Sequence, residues 1–141
     1  MTKTIVVMGT MDTKGPELAY LAQQVTSAGC RALLMDVGAQ AESDSAADIS
    51  AAEVVAVMDE DIETIRALPR GEAVEKMVAA ASVYLQNMIQ NGEAHGVIGV
   101  GGSGGTTICA AAMRALPYGV PKFMVSTLAS GNTRWHVDIA D

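Results

Sequence analysis

Short apolar runs alternate along the chain with longer segments in which apolar residues recur at helical spacing. The runs cover residues 3–9, 31–38, 95–101 and 121–127, and their continuous apolar character predicts strands buried on both faces. Helices are predicted over 15–29, after Ser50, over 71–91, and from the glycine-rich run at 99–107 to about residue 116. This alternation predicts an α/β three-layer sandwich with an open parallel sheet, Rossmann-like or flavodoxin-like.

The boundaries of these helices carry recognisable signals. Pro16 suits the first turn of the first helix, and Gly29 suits its end. Ser50 and Glu53 have the spacing of a capping box, which predicts that a helix begins directly after Ser50.

The expected strand order of about 2-1-3-4 brings three unusual segments together. Ligands of open parallel sheets bind beyond the carboxyl ends of the strands, where the strand order reverses. Here that point lies between the first and third strands, which are followed by GTMDTKG (9–15) and GVGGSGGTT (99–107). The segment LASGNTR (128–134) follows the fourth strand and falls beside them. We therefore expect one ligand crevice built from three loops rich in Gly, Ser and Thr.

Composition limits the classes of function. The 141 residues predict a single domain, and the net charge of −7 argues against binding to nucleic acid or to an anionic membrane. No apolar run approaches the roughly 20 residues that cross a bilayer. The two cysteines lack the spacing of metal ligands, so a cytoplasmic location is expected. Nine acidic residues and no Lys or Arg fall in 36–63, whereas the glycine-rich run contains no acid, so an anion can bind there.

The run GVGGSGGTT holds five glycines and three hydroxyl side chains in nine positions. Glycines before a helix allow successive backbone N–H groups to face an anion, and the helix dipole favours negative charge at that end. A tight turn alone explains two or three glycines and not five. The run therefore predicts phosphate contacts by Gly101, Gly102, Ser103, Gly104, Gly105 and Thr106.

Two known phosphate motifs fit the run only in part. Gly99, Gly101 and Gly104 match the dinucleotide pattern G-x-G-x-x-G, but residues 94–137 contain no acid to hold a ribose. The nucleoside-triphosphatase loop requires a lysine that this run lacks, so Lys14 or Arg134 would have to supply the positive charge. An NAD(P)-dependent oxidoreductase domain stays the enzymatic alternative.

The segment GTMDTKG allows a structural and a functional interpretation. Asp12 or Thr13 can cap the helix that is predicted to begin at Pro16. Asp12 can instead bind a Mg²⁺ ion that bridges phosphates, or accept hydrogen bonds from a ribose, while Lys14 neutralises phosphate charge. Neither His95 nor His136 has a partner at a recognisable spacing, so no catalytic residue is predicted.

Four ordered motifs resemble the ATP-binding N-terminal domain family typified by the tomato mosaic virus resistance protein, an inhibitor of viral replication with bacterial relatives of undefined activity. They are GTMDTKGPE (9–17), ADIS (47–50), GVGGSGGT (99–106) and VSTLASGNTR (125–134), and together they cover nearly the whole chain. The resemblance implies ATP binding, dimer formation and a second, barrel-like domain. It also implies nucleotide contacts by Gly9, Thr10, Asp12, Thr13, Lys14, the residues Gly101 to Thr106, Gly131, Thr133 and Arg134.

Two features depart from that family. Asn132 stands where members usually have Asp, and the chain stops at VDIAD where members continue. We therefore expect an N-terminal part of a longer protein, and a homodimer or larger assembly because part of the sheet or a helix face would stay uncovered. The leading hypothesis is an ATP-binding domain, with Mg²⁺ at Asp12 and an undefined reaction. A ligand-free interaction module is the non-enzymatic alternative.

Overall fold

Four parallel strands form one open sheet in the order β2-β1-β3-β4 in the computed structural model, which describes residues 1–43 and 46–134. The strands are β1 (Thr4–Gly9), β2 (Arg31–Asp36), β3 (Gly96–Gly101) and β4 (Lys122–Ser126). Ile5 of β1 pairs with Ala32 on one side and with Gly96 on the other, so β1 and β3 are neighbours. The predicted fold class and strand order are confirmed.

Five helices and one 3₁₀ turn complete the described chain. They are α1 (Met11–Ser27), α2 (Ala51–Ala56), α3 (Ile62–Arg66), α4 (Arg70–Gln90), α5 (Ser103–Arg114) and the turn Thr127–Ser130. The predicted capping box is present, because the Ser50 hydroxyl accepts from Glu53 N at 3.2 Å. The short helix α3 was not predicted, and the Asp61 carboxylate caps it by accepting from Glu63 N at 3.1 Å.

The sheet divides the apolar core into two parts. Val6 and Met8 of β1 face the larger part, which includes residues of α4 and α5 such as Met77 and Ile108. Val7 points to the opposite face and packs in the smaller part with Leu18 of α1. This alternation is the period-two pattern of a strand, and it explains why residues 5–8 of β1 are all apolar.

The edge strand β4 leaves apolar surface uncovered. Phe123 and Val125, two residues apart and therefore on one face of the strand, are 64% and 45% exposed. The face carrying the smaller core part is covered by α1 beside β1. Within the described residues, no helix is both long enough and apolar enough to span a membrane.

Two predicted loops are largely regular structure. Helix α1 begins at Met11 and not at Pro16, with a kink at Lys14 where φ is −125° and ψ is 20°. A proline lacks an N–H and its ring crowds the carbonyl four residues earlier, so a regular helix does not pass through Pro16. The glycine-rich run is likewise divided between the end of β3 and the first turn of α5, which leaves only Gly102 between them.

Candidate functional site

A cleft of about 270 Å³ opens at the carboxyl edge of the sheet, beside the point between β1 and β3 where the strand order reverses. The first turns of three helices reach it. Its walls are Thr10, Asp12, Thr13 and Lys14 at α1, Ala39 and Gln40 after β2, Arg70 and Val74 of α4, and Gly102, Ser103, Gly104, Gly105 and Ile108 at α5. Residues of the segments after β1 and β3 line the cleft as predicted, whereas no residue of 128–134 does, and α4 adds a wall that was not predicted.

The N-terminus of α5 presents unpaired backbone amides to the cleft. Gly102 is its N-cap residue, and among the described residues no side chain caps it. The amide of Thr106 donates to Gly102 O at 3.0 Å, so the amides of residues 103–105 precede the first intrahelical hydrogen bond. These N–H groups and the positive end of the helix dipole make this wall suited to an anion.

The glycines of the run have different roles in the structure. A Cβ on Gly101 would lie 2.5 Å from Thr106 N, and a Cβ on Gly99 would lie 2.9 Å from Cys109 Cβ, so both are required for close packing of α5 on β3. In contrast, the nearest atoms to a Cβ on Gly102 and Gly104 would lie at 3.9 Å and 3.6 Å. The fold itself therefore has room for a side chain at Gly102 and Gly104.

Backbone conformation does not explain these glycines either. Among the described residues, the glycines with positive φ are Gly29, Gly92 and Gly119, and none of them belongs to the run. Gly102 has a φ of −84°. Both residues line the wall of the cleft, and the absence of side chains at positions 102 and 104 leaves open space there.

The wall formed by α1 contains a carboxylate oxygen without a partner. Thr10 is the N-cap residue of α1, so the expectation that Asp12 or Thr13 caps the helix was wrong. The hydroxyl oxygens of Thr10 and Thr13 lie 2.6 Å apart and share a hydrogen bond. Within the described chain, the buried Oδ1 of Asp12 has no hydrogen-bond partner. A buried oxygen of this kind is costly unless a cation or a donor pairs with it.

Asp36, at the carboxyl end of β2, holds two walls of the cleft together. Its Oδ1 accepts from Met11 N at 3.1 Å and from Gly38 N at 2.9 Å. Burial raises the pKa of Asp36, the two backbone hydrogen bonds oppose that effect, and the neighbouring charge of Asp12 adds to it. Sequence reasoning missed this residue, although an acid that ends an otherwise apolar strand is a detectable signal.

Two cationic side chains, Lys14 and Arg70, line the cleft. Lys14 was predicted, whereas Arg70 was not, because it lies in α4 and belongs to no motif. Its Nη2 lies 3.6 Å from the position of a Cβ on Gly104, which places the guanidinium beside the first turn of α5. Arg134, the other cation considered from sequence, is not among the residues that line the cleft.

Several predicted contact residues lie outside the cleft. Thr106 is buried, and its hydroxyl lies 2.5 Å from that of Ser126. The others that do not line it are Gly9, Gly101, Gly131, Thr133 and Arg134. His95 Nδ1 accepts from Thr4 N at 3.0 Å, which is a structural role, whereas His136 and the VDIAD segment lie outside the described residues.

Comparison with known proteins gives a consistent set of relatives. Residues 3–141 match the model of the uncharacterised protein family (UPF0261) N-terminal domain. A UPF0261 protein of Clostridium tetani is 39% identical over 100% of this chain and 35% of its own length. One of Rhizobium meliloti is 45% identical over 99% of the chain and 34% of its own length. The ToMV resistance protein Tm-1(GCR237) of Solanum lycopersicum is 33% identical over 95% of the chain and 20% of its own length. The chain thus spans about a third of these bacterial relatives.

Proposed function

We propose that this chain, which belongs to the uncharacterised protein family UPF0261 and corresponds to its N-terminal domain, binds ATP through the phosphate groups. The observation that carries the proposal is the convergence of three helix N-termini, those of α1, α4 and α5, on one cleft. The termini of α4 and α5 carry no side-chain cap, so they offer unpaired amides and positive dipole charge. At α1 the amide of Met11 is paired with Asp36, and the amides of Thr13 and Lys14 donate to Thr10 O. The amides of α4 and α5 favour a ligand with several negative charges. Lys14 and Arg70 add two full positive charges to the same cleft.

A Mg²⁺ ion bound with the nucleotide would pair with Asp12. The partnerless Oδ1 of Asp12 is the type of hard oxygen ligand that Mg²⁺ prefers. Among the described residues, no group of three His, Cys, Asp or Glu side chains is placed to hold a metal. Phosphate oxygens and water would therefore complete the coordination, as is usual for Mg²⁺ at nucleotide sites.

The site supports ATP better than a nicotinamide dinucleotide. In a dinucleotide fold the strand after the glycine pattern ends in an acid that binds the ribose. Here that strand is β4, which ends in Ser126, and the Ser126 hydroxyl is already paired with Thr106. The acid at the end of β2, Asp36, is engaged by two backbone amides.

Calorimetric titration with ATP, ADP and NAD, each with and without Mg²⁺, tests the proposal. We expect ATP to bind more tightly than ADP, Mg²⁺ to strengthen both, and NAD to bind weakly. Lys14→Ala should weaken ATP binding, because it removes a cation from the wall of the cleft. Lys3→Ala is the matched control. Lys3 is exposed and precedes β1, so it lies at the amino ends of the strands, away from the cleft at their carboxyl ends.

Equal affinities of the wild type and Lys14→Ala for ATP would contradict the proposed position of the phosphates. No binding of any of the three compounds would refute nucleotide binding and favour the ligand-free interaction module.

A further inference from the structure

We propose that the cleft recognises the phosphate chain of its ligand and is indifferent to the nucleobase. Nucleoside triphosphates as a class, together with inorganic triphosphate, would then bind alike. This inference rests on the proposed function and extends it from ATP to the class of ligands that carry a triphosphate chain.

The directional groups of the cleft are concentrated where phosphates would lie. Lys14 stands on the α1 wall, and Arg70 stands beside the first turn of α5, 3.6 Å from the Cβ position of Gly104. The unpaired amides of residues 103–105 belong to the same turn. A guanidinium forms paired hydrogen bonds with two phosphate oxygens, so Arg70 and the α5 amides can hold one phosphoryl group from two sides.

The other polar side chains of the α1 and α5 walls are those of Thr10, Asp12, Thr13 and Ser103. Away from these two walls the lining is mainly aliphatic. Ala39 and Ile108 are each 2% exposed, and Val74 is half-buried. Aliphatic carbons make no directional contacts, so they pack equally well against a purine or a pyrimidine. Among the described lining residues, the only amide side chain is that of Gln40, which is exposed. Because an amide carries both donors and an acceptor and can rotate, it satisfies either an adenine or a guanine edge.

The size of the cleft agrees with this division. Its volume of about 270 Å³ is close to the lower limit of the range of about 300–1,000 Å³ in which pockets enclose most of a drug-sized ligand. The cleft therefore holds a phosphate chain and leaves the sugar and base at its rim. A base at the rim is solvated and contributes little to discrimination.

Titration calorimetry with ATP, GTP, inorganic triphosphate and adenosine in the presence of Mg²⁺ tests the inference. We expect the first three to bind with dissociation constants within about tenfold of one another, a difference of about 1.4 kcal/mol, and adenosine to give no binding. If ATP binds and either GTP or triphosphate is weaker by more than that factor, the inference is overturned while the proposed function stands. If none of the polyphosphates binds, the proposed function fails as well.

Arg70→Gln provides an independent readout of the same inference. Loss of a charge-assisted contact to phosphate should weaken all three ligands by about tenfold or more, and by the same factor for each. The matched control is Arg31→Gln. Arg31 is exposed and begins β2, so it lies at the amino ends of the strands, away from the cleft. A loss for ATP that is not shared by triphosphate would show that Arg70 reads the nucleoside, and would overturn the inference. Unchanged melting temperatures confirm that each variant is folded.

Discussion

Adding a single methyl group at Gly101 or at Gly104 should separate the requirement of the fold from that of the ligand. The two positions are three residues apart in one glycine-rich run. At Gly101 the new Cβ would meet backbone, with Thr106 N at 2.5 Å and Gly105 C at 2.6 Å. At Gly104 the nearest atom would be Arg70 Nη2 at 3.6 Å, which is ordinary contact with a movable side chain.

The geometry sets the expected magnitudes. Overpacking against backbone costs roughly 1–3 kcal/mol. For a chain of this length each kcal/mol corresponds to about 3 °C, so Gly101→Ala should lower the melting temperature by roughly 3–10 °C. Gly104 lies in the first turn of α5, where alanine favours the helix by up to about 1 kcal/mol over glycine. Gly104→Ala should therefore leave the melting temperature unchanged or raise it by up to about 3 °C.

Thermal unfolding followed by circular dichroism, together with ATP titration well below the transition, measures both effects. We expect Gly104→Ala to weaken ATP binding by about tenfold or more, because the methyl group fills space between α5 and Arg70 where a phosphate would lie. Valine at Gly102 or Gly104 enlarges the same obstruction. If Gly104→Ala binds ATP as tightly as the wild type, the reasoning about the ligand is refuted. If Gly101→Ala has the melting temperature of the wild type, the reasoning about close packing of α5 on β3 is refuted.

Three further predictions concern other parts of the molecule. Because burial raises the pKa of Asp36, the folded state keeps that proton to higher pH than the unfolded state, so this group lowers stability as pH rises from about 4 through the folded pKa. Asp36→Asn retains an acceptor oxygen but has no proton to lose. The melting temperature of the variant minus that of the wild type should therefore increase between pH 4 and pH 7. A difference that stays constant over that range would contradict this reasoning. Burial raises the pKa of Cys109 to about 12, so at pH 8 a thiol reagent should modify Cys30 in the native protein and Cys109 only after unfolding, as followed by mass spectrometry. The exposed fraction of Phe123, 64%, supports the expectation of self-association, and Phe123→Ser should reduce the mass that light scattering gives at micromolar concentration. A wild-type monomer at that concentration would contradict the expectation.

The sheet was predictable from sequence because its signals are local. Each strand is a continuous apolar run that ends in a polar residue or glycine, and Ser50 with Glu53 marks a helix start within four residues. The start of α1 was misplaced because it depends on a distant residue. Asp36 of β2 accepts the hydrogen bond of Met11 N, which satisfies one of the amides that a helix start leaves unpaired. Proline at position 16 indicates a later start when only local preferences are considered.

The candidate site was predictable only in part for a related reason. Strand order placed the loops after β1 and β3 side by side, and residues of both line the cleft. Arg70 reaches the cleft because α4 packs against α5. The proximity of Arg70 to Gly104 could not be predicted from any residue spacing in the sequence. The roles of the individual glycines were equally hidden, because they depend on which atoms surround each Cβ position and not on the number of glycines in the run.

The shared oxygen of Asp36 has a consequence for the kinetics of binding. Since one atom holds both the start of α1 and the segment after β2, these two walls are in place before a ligand arrives. Binding then requires little ordering of the protein, so the loss of conformational entropy is small. The proposed anionic ligand would then associate at a rate set by diffusion and by attraction to Lys14 and Arg70. Lifetimes of the complex, more than association rates, would distinguish one ligand from another.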